Sequence, residues 1–110
     1  MIPDFEPDAS VSAAALHLLL ATHPEVNELP VDWNIDVDRT IRPFLPVDHP
    51  QTADAARLLA VALELEVELH DYASAEGVPM RSHRVEGRWG GAAWLFVAYA
   101  AAEPEPGVLR

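Results

Sequence analysis

A chain of 110 residues and 12.0 kDa, half of them hydrophobic, is long enough for one domain that buries roughly two-thirds of its unfolded surface. Eighteen acidic residues against seven basic ones, all arginine, give a formal charge of −11. That balance argues against a nucleic-acid or anionic-membrane surface, which needs clustered cationic side chains. The absence of cysteine removes disulfides, thiol catalysis and thiolate metal sites, and fits a reducing cytoplasm.

Residues 1–9 carry three acids and two prolines and read as a loose leader without the basic and apolar regions of a signal peptide. Asp8 or Ser10 can cap a helix through VSAAALHLLLAT, with Val11, Ala14, Ala15, Leu18 and Leu19 at helical spacing. Its end is expected at His23-Pro24, because proline disfavours helical geometry in the residue before it. A polar connector, EVNELP, leads to VDWNIDVD over 31–38. There Val31, Trp33, Ile35 and Val37 alternate with Asp32, Asn34, Asp36 and Asp38, the period of a half-buried strand. Pro43 and Pro46 restrict the next segment, RTIRPFLP, to a short or edge strand.

A second helix is expected from a capping box on Asp48 and Gln51, with Pro50 in the first turn. Its buried stripe is Ala55, Leu58, Leu59, Ala62, Leu63 and Leu65. The period then changes from helical to alternating, which predicts a strand over 66–73. After the turn SAEGVP, the segments MRSHRVEGRW and AAWLFVAYAA flank Gly90-Gly91 and read as two strands of a glycine hairpin. Residues 103–110 read as a loose tail. The longest weakly polar run, 90–102, has 13 residues, too few for a helix to span a bilayer. These elements form one domain over 10–102 in the order α-β-β-α-β-β-β. The fold class is α+β, a mainly antiparallel sheet of about four to five strands with two helices on one face; strand order is not readable.

The acidic positions of VDWNIDVD resemble a calcium loop. Counting from Asp32, the sixth position is Val37 and the twelfth Pro43, where such a loop needs glycine and a bidentate glutamate. No metal and no cofactor is expected. The five histidines lack close ligand spacing, no serine sits in a nucleophile elbow, and GRWGG precedes a strand rather than a helix. No enzyme class emerges.

What remains are surfaces. Asp32, Asp36 and Asp38 form one acidic line and Glu66 and Glu68 a second. On adjacent strands these lines would repel, so arginines of the 81–88 segment are expected between them. Together they suit a basic protein partner, or only a solvated face. In AAWLFVAYAA both faces are apolar: Leu95, Val97 and Tyr99 on one, Trp94, Phe96 and Ala98 on the other. Two helices can cover only one face of a small sheet. Self-association through Trp94 and Phe96, with Trp89 and Met80 at the rim, is therefore expected beside simple burial in the monomer.

The runs LHLLLATHP, VDWNIDVD, AARLLAVALELEVEL and GRWGGAAWLFVAYA, covering about residues 13–102 in outline, resemble short uncharacterised proteins of actinobacteria, often encoded by phages or integrative elements. That resemblance implies an α+β module with no assigned activity and transfers no catalytic residue. The Arg-only, Ala- and Pro-rich composition is that of a high-GC bacterial genome. The reading is a small, acidic, non-enzymatic binding or regulatory module of the cytoplasm, a homodimer that meets a basic partner. The alternative is a small-ligand binder or minor enzyme with a pocket near His70, His83 and Trp89.

Overall fold

The computed structural model describes residues 9–102. Three helices precede a three-stranded antiparallel sheet: α1 (Ala9–Thr22), α2 (Pro24–Asn27), α3 (Thr52–Leu63), β1 (Glu68–Ala73), β2 (Pro79–Trp89) and β3 (Ala92–Ala101), with strand order β1-β2-β3. The fold is α+β. Its sheet has three strands rather than four to five. Of the loose leader and tail, only Ala9 lies within the described residues, and it begins α1.

Helix α1 buries Ser12, Ala15 and Leu19, with Leu16 and Leu20 packed beside them, whereas Val11 and Leu18 face outward. The expected stripe is thus rotated. Leucines at 16, 18, 19 and 20 offer two overlapping apolar faces, and the selected one brings Ser12 inward, where its hydroxyl donates to the Arg39 carbonyl at 2.6 Å. His23 ends α1 and precedes Pro24, as the proline rule requires, but the segment after it is helical: α2 buries Val26 completely.

The 31–45 segment departs most from expectation. It is an irregular hairpin, not a regular strand. Asp32 and Phe44 exchange backbone bonds at 2.9 and 2.8 Å, Arg42 N–H donates to Asn34 at 2.7 Å, and Asp36 N–H to Thr40 at 2.9 Å. The turn takes Val37, Asp38 and Arg39, closed by Arg39 N–H to the Asp36 carbonyl at 2.9 Å, with Arg39 at φ 68°. This is the three-residue loop whose last position is left-handed. Alternation therefore holds only through Ile35, and Val37 is 88 % exposed. Ile41 joins the edge of β3 by a parallel bridge to Trp94, and Ile41 and Leu45 point into the core. The prolines at 43 and 46 keep this segment from becoming a full ladder.

Helix α3 starts at Thr52 without a side-chain cap. The capping box is absent because the Asp48 carboxylate instead accepts the Ala101 N–H at 3.0 Å. Its buried residues, Thr52, Ala55, Ala56, Leu59, Ala60, Ala62 and Leu63, extend the expected stripe. The helix closes with Leu65 N–H to the Ala60 carbonyl and Glu64 N–H to that of Val61, Glu64 standing at φ 59°. That is a Schellman stop with glutamate where glycine is usual.

Strands β2 and β3 are joined by Gly90 (φ 62°) and Gly91 (φ 83°), the doubly positive two-residue turn that matches strand twist. Register assigns the faces. His83, Val85 and Gly87 lie opposite Ala98, Phe96 and Trp94 on the helix side. Ser82, Arg84 and Glu86 lie opposite Tyr99, Val97 and Leu95 on the outer side. All six residues of β1 are exposed.

Candidate functional site

The outer face of the sheet is built by the even positions of β1 and β2 and the odd positions of β3. Along β3, at one side of the three-stranded sheet, runs an apolar row, Leu95, Val97 and Tyr99, extended at one end across β2 and β1 by Met80 and Tyr72 through the strand pairing. Tyr72 meets the Tyr99 ring edge-on at 6.3 Å and stacks on His70 at 6.2 Å. On the strand-like segment beside β3, bridged there by Ile41, the exposed Phe44 alternates with the buried Pro43 and Leu45 and so faces away from the core. Leu95, Val97 and Met80 are half-buried, and Tyr72, Tyr99 and Phe44 are 36 %, 41 % and 54 % exposed. Among the described residues, α1 and α3 pack against β2 and β3 from the helix side.

Charged side chains flank the row, and most are paired within it. Arg42 Nε lies 2.8 Å from Asp36 and its Nη2 3.3 Å from Asp38. The Thr40 N–H, with its hydroxyl and Arg42 adding to the effect, holds the Asp38 carboxyl below its ordinary value. Arg84 donates to Glu86 at 2.6 Å, which raises its affinity for its proton, and lies 4.0 Å from Glu68. Arg88 donates to the Gly91 carbonyl at 3.2 Å. On the strands themselves the face carries two arginines, Arg84 and Arg88, against two carboxylates, Glu68 and Glu86, and is formally neutral where the whole chain carries −11; the hairpin beside β3 holds Asp32, Asp36 and Asp38 against Arg39 and Arg42.

The acidic residues singled out from sequence do not make one surface. Asp36 and Asp38 build the turn, accepting the Val37 N–H at 2.7 Å and the Thr40 N–H at 3.0 Å. Glu68 begins β1 and Glu66 precedes it, at the opposite edge of the sheet from Asp32. The arginine that neutralises Asp36 and Asp38 is Arg42, six positions beyond Asp36, while of the 81–88 segment Arg84 lies 4.0 Å from Glu68. Trp94 and Phe96 are each 2 % exposed. They fill the monomer core, with Trp94 Nε1–H donating to the Trp89 carbonyl at 2.9 Å and the two indoles edge-on. They leave nothing for a second copy to touch, so the self-associating face cannot be theirs. Of the expected rim, Met80 alone lies on the outer side.

Comparison with known proteins adds no assignment. No family model, curated protein or solved structure matches this chain.

The expected pocket residues are also separated. His83 is buried on the helix side, His70 stands on the outer face, and Trp89 lies at the far end of β2 beside Trp94. A cavity of about 300 Å³ does involve His83, but with Asp48, His49, Thr52 and Arg81. The 48–52 loop was legible only as a helix start. Among the described residues, no group of three or more His, Cys, Asp or Glu is placed to hold a metal ion, and no helix is long and apolar enough to cross a membrane.

Proposed function

We propose that this chain is a small non-enzymatic binding module that acts as a homodimer joined through its outer sheet face. The observation that carries the reading is the row Leu95, Val97 and Tyr99, continued by Met80, Tyr72 and Phe44, on the side of the sheet away from the helices. An apolar row of this extent is the kind of surface that marks an interface. The occupant that suits it is a second copy. Two chains of −11 repel wherever their excess charge meets, and this face, formally neutral on its strands with Arg84 paired to Glu86, is where they approach at least cost.

The excess negative charge of each protomer then lies off this face, the Asp32–Asp38 hairpin included, where it suits a basic protein partner in a cytoplasmic setting. Sedimentation in a salt series tests the dimer: association should persist or strengthen as salt rises, since burial drives it and screening only removes repulsion. Monomers at every concentration and every salt would rule it out. For the basic partner, a pull-down with the Asp32/Asp36/Asp38→Asn chain that returns an unchanged partner set dismisses the acidic hairpin as the contact.

A further inference from the structure

The two edges of the sheet end differently. At β3 the chain closes its own ladder: Ile41 N–H donates to the Ala93 carbonyl at 2.9 Å, Leu95 N–H to that of Ile41 at 3.0 Å and Asp48 N–H to that of Tyr99 at 2.7 Å. The Asp48 carboxylate takes the Ala101 N–H at 3.0 Å. In the order β1-β2-β3 the other edge is β1, and no bridge joins it on that side among the described residues.

The groups that this edge offers follow from the hydrogen bonds at the end of the sheet. Ala102 N–H donates to the Pro79 carbonyl at 3.1 Å, so Pro79 bonds toward β3. Ala73, opposite Pro79, therefore stands in a pair that exchanges no bond, and alternation puts Asp71 and Leu69 in the same phase. Ser74 N–H donates to the Val78 carbonyl at 2.9 Å, which fits the next pair being bonded. The N–H and C=O groups of Leu69, Asp71 and Ala73 thus point away from β2. The helices pack against β2 and β3, and all six residues of β1 are exposed, Leu69 at 57 %.

An open edge is a template for another strand, which proteins commonly block with proline, lysine or a bulge. Strand β1 pairs with β2 from 68 to 73 without a bulge and holds neither proline nor lysine. Its guard is charge of one sign. Residues 64–76, ELEVELHDYASAE, hold five carboxylates and no arginine. Asp71 is taken up by Arg81 at 2.6 and 3.1 Å. Glu68 is not: Arg84 stands 4.0 Å away and is engaged by Glu86 at 2.6 Å. Glu66, two residues before it, is exposed. A second copy pairing here would meet the same acids that it carries, which like-charge contact opposes. A strand of opposite sign is admitted by the charges that turn the copy away.

We propose that the free edge of β1 receives an extended basic segment of a partner protein as a fourth strand, a placement that rests on the basic-partner reading and not on the dimer. The segment's backbone bonds Leu69, Asp71 and Ala73, and its side chains alternate. Arginine or lysine lies on the outer face against Glu68, with Glu66 next along the chain, and apolar residues lie on the other face beside Leu69.

The probe is a fluorescein-labelled octapeptide alternating arginine and valine, titrated against the intact chain at physiological salt and read by anisotropy. It should bind, and its counterpart with glutamate for arginine should not. N-methylation of alternate amides should weaken binding at least about tenfold in one phase, where bonds to β1 are lost, and leave it unchanged in the other. Glu66→Gln with Glu68→Gln should weaken it about twofold to thirtyfold. Leu69→Pro removes an outward N–H and no bond of the β1–β2 ladder; it should abolish binding while the chain still unfolds cooperatively. The Asp32/Asp36/Asp38→Asn chain should bind as the wild type does. No binding of the peptide, equal effects of the two methylation phases, or binding untouched by Leu69→Pro in a folded chain overturns the proposal. Binding lost in the Asp32/Asp36/Asp38→Asn chain and kept in the Glu66 and Glu68 variant also overturns it, while leaving a basic partner at the hairpin.

Discussion

Val97→Asp places a carboxylate in the middle of the outer apolar row, and its effect on association can be worked from the structure. Tyr72, Tyr99 and Phe44 are 36 %, 41 % and 54 % exposed, which at about 200 Å² for a whole aromatic side chain leaves about 260 Å² open per copy. Closing that area on both copies is worth about 13 kcal/mol at about 25 cal/mol per Å². Association itself costs about 4–15 kcal/mol. At the low end of that cost the balance is a dimer of about micromolar affinity. In the variant, two carboxylates are desolvated in the joint, at about 1–3 kcal/mol each. The dissociation constant should therefore rise by about thirtyfold to ten-thousandfold. Sedimentation velocity across a wide concentration series reads it, with far-UV circular dichroism confirming the fold. Leu18→Asp, an exposed apolar position on α1 at 48 %, is the control and should leave association unchanged. A wild-type dimer that survives Val97→Asp, or that Leu18→Asp weakens equally, would refute the assignment of this face.

Three further expectations follow from the same structure. Trp94→Ala should destabilise the monomer by about 3–5 kcal/mol, seen in the urea midpoint, because its indole is a core filler at 2 % exposure. Glu64→Gly should stabilise the chain by about 1 kcal/mol, read as a higher melting temperature, by relieving a left-handed residue at φ 59°. Asp38 and Asp71 are both held below their ordinary value of 3.8, by the Thr40 N–H and by the Arg81 hydrogen bonds respectively. A depressed carboxylate contributes stability above its unfolded value and loses it as pH falls through its folded value, since the unfolded state then binds the extra protons. Urea midpoints should therefore fall with pH in the acid range, and Asp38→Asn with Asp71→Asn should flatten that limb.

The local signals were those that chain geometry enforces within a few residues. Gly90-Gly91 between two apolar alternating runs specified the β2–β3 hairpin, His23-Pro24 specified the end of α1, and the spacing of Ala55, Leu59, Ala62 and Leu63 specified the buried side of α3. The switch to alternation near Leu65 located β1 to within two residues. The acidic alternation at 31–38 was half legible. Val31, Trp33 and Ile35 do turn inward, but side-chain bonds from Asp36 and Asp38 to the backbone favour a turn over a continuing strand, and Val37 goes with the turn.

What the sequence by itself determined is an acidic α+β fold, its final hairpin, and a last strand apolar on both faces. Only the tertiary structure decided which of those faces is interior. Trp94 and Phe96 or Leu95, Val97 and Tyr99 could each have met the helices, because period-two alternation is symmetric between the sides of a sheet. The choice falls to partners distant in the chain: Ala55, Leu59 and Leu63 on α3, Ala15 and Leu19 on α1, and Ile41 at the β3 edge, which share one buried core with Trp94 and Phe96. The same long-range closure brought Asp48, His49, Arg81 and His83 around one cavity, from segments more than thirty residues apart. No local pattern encodes such a meeting, since it depends on how the helix layer settles on the sheet.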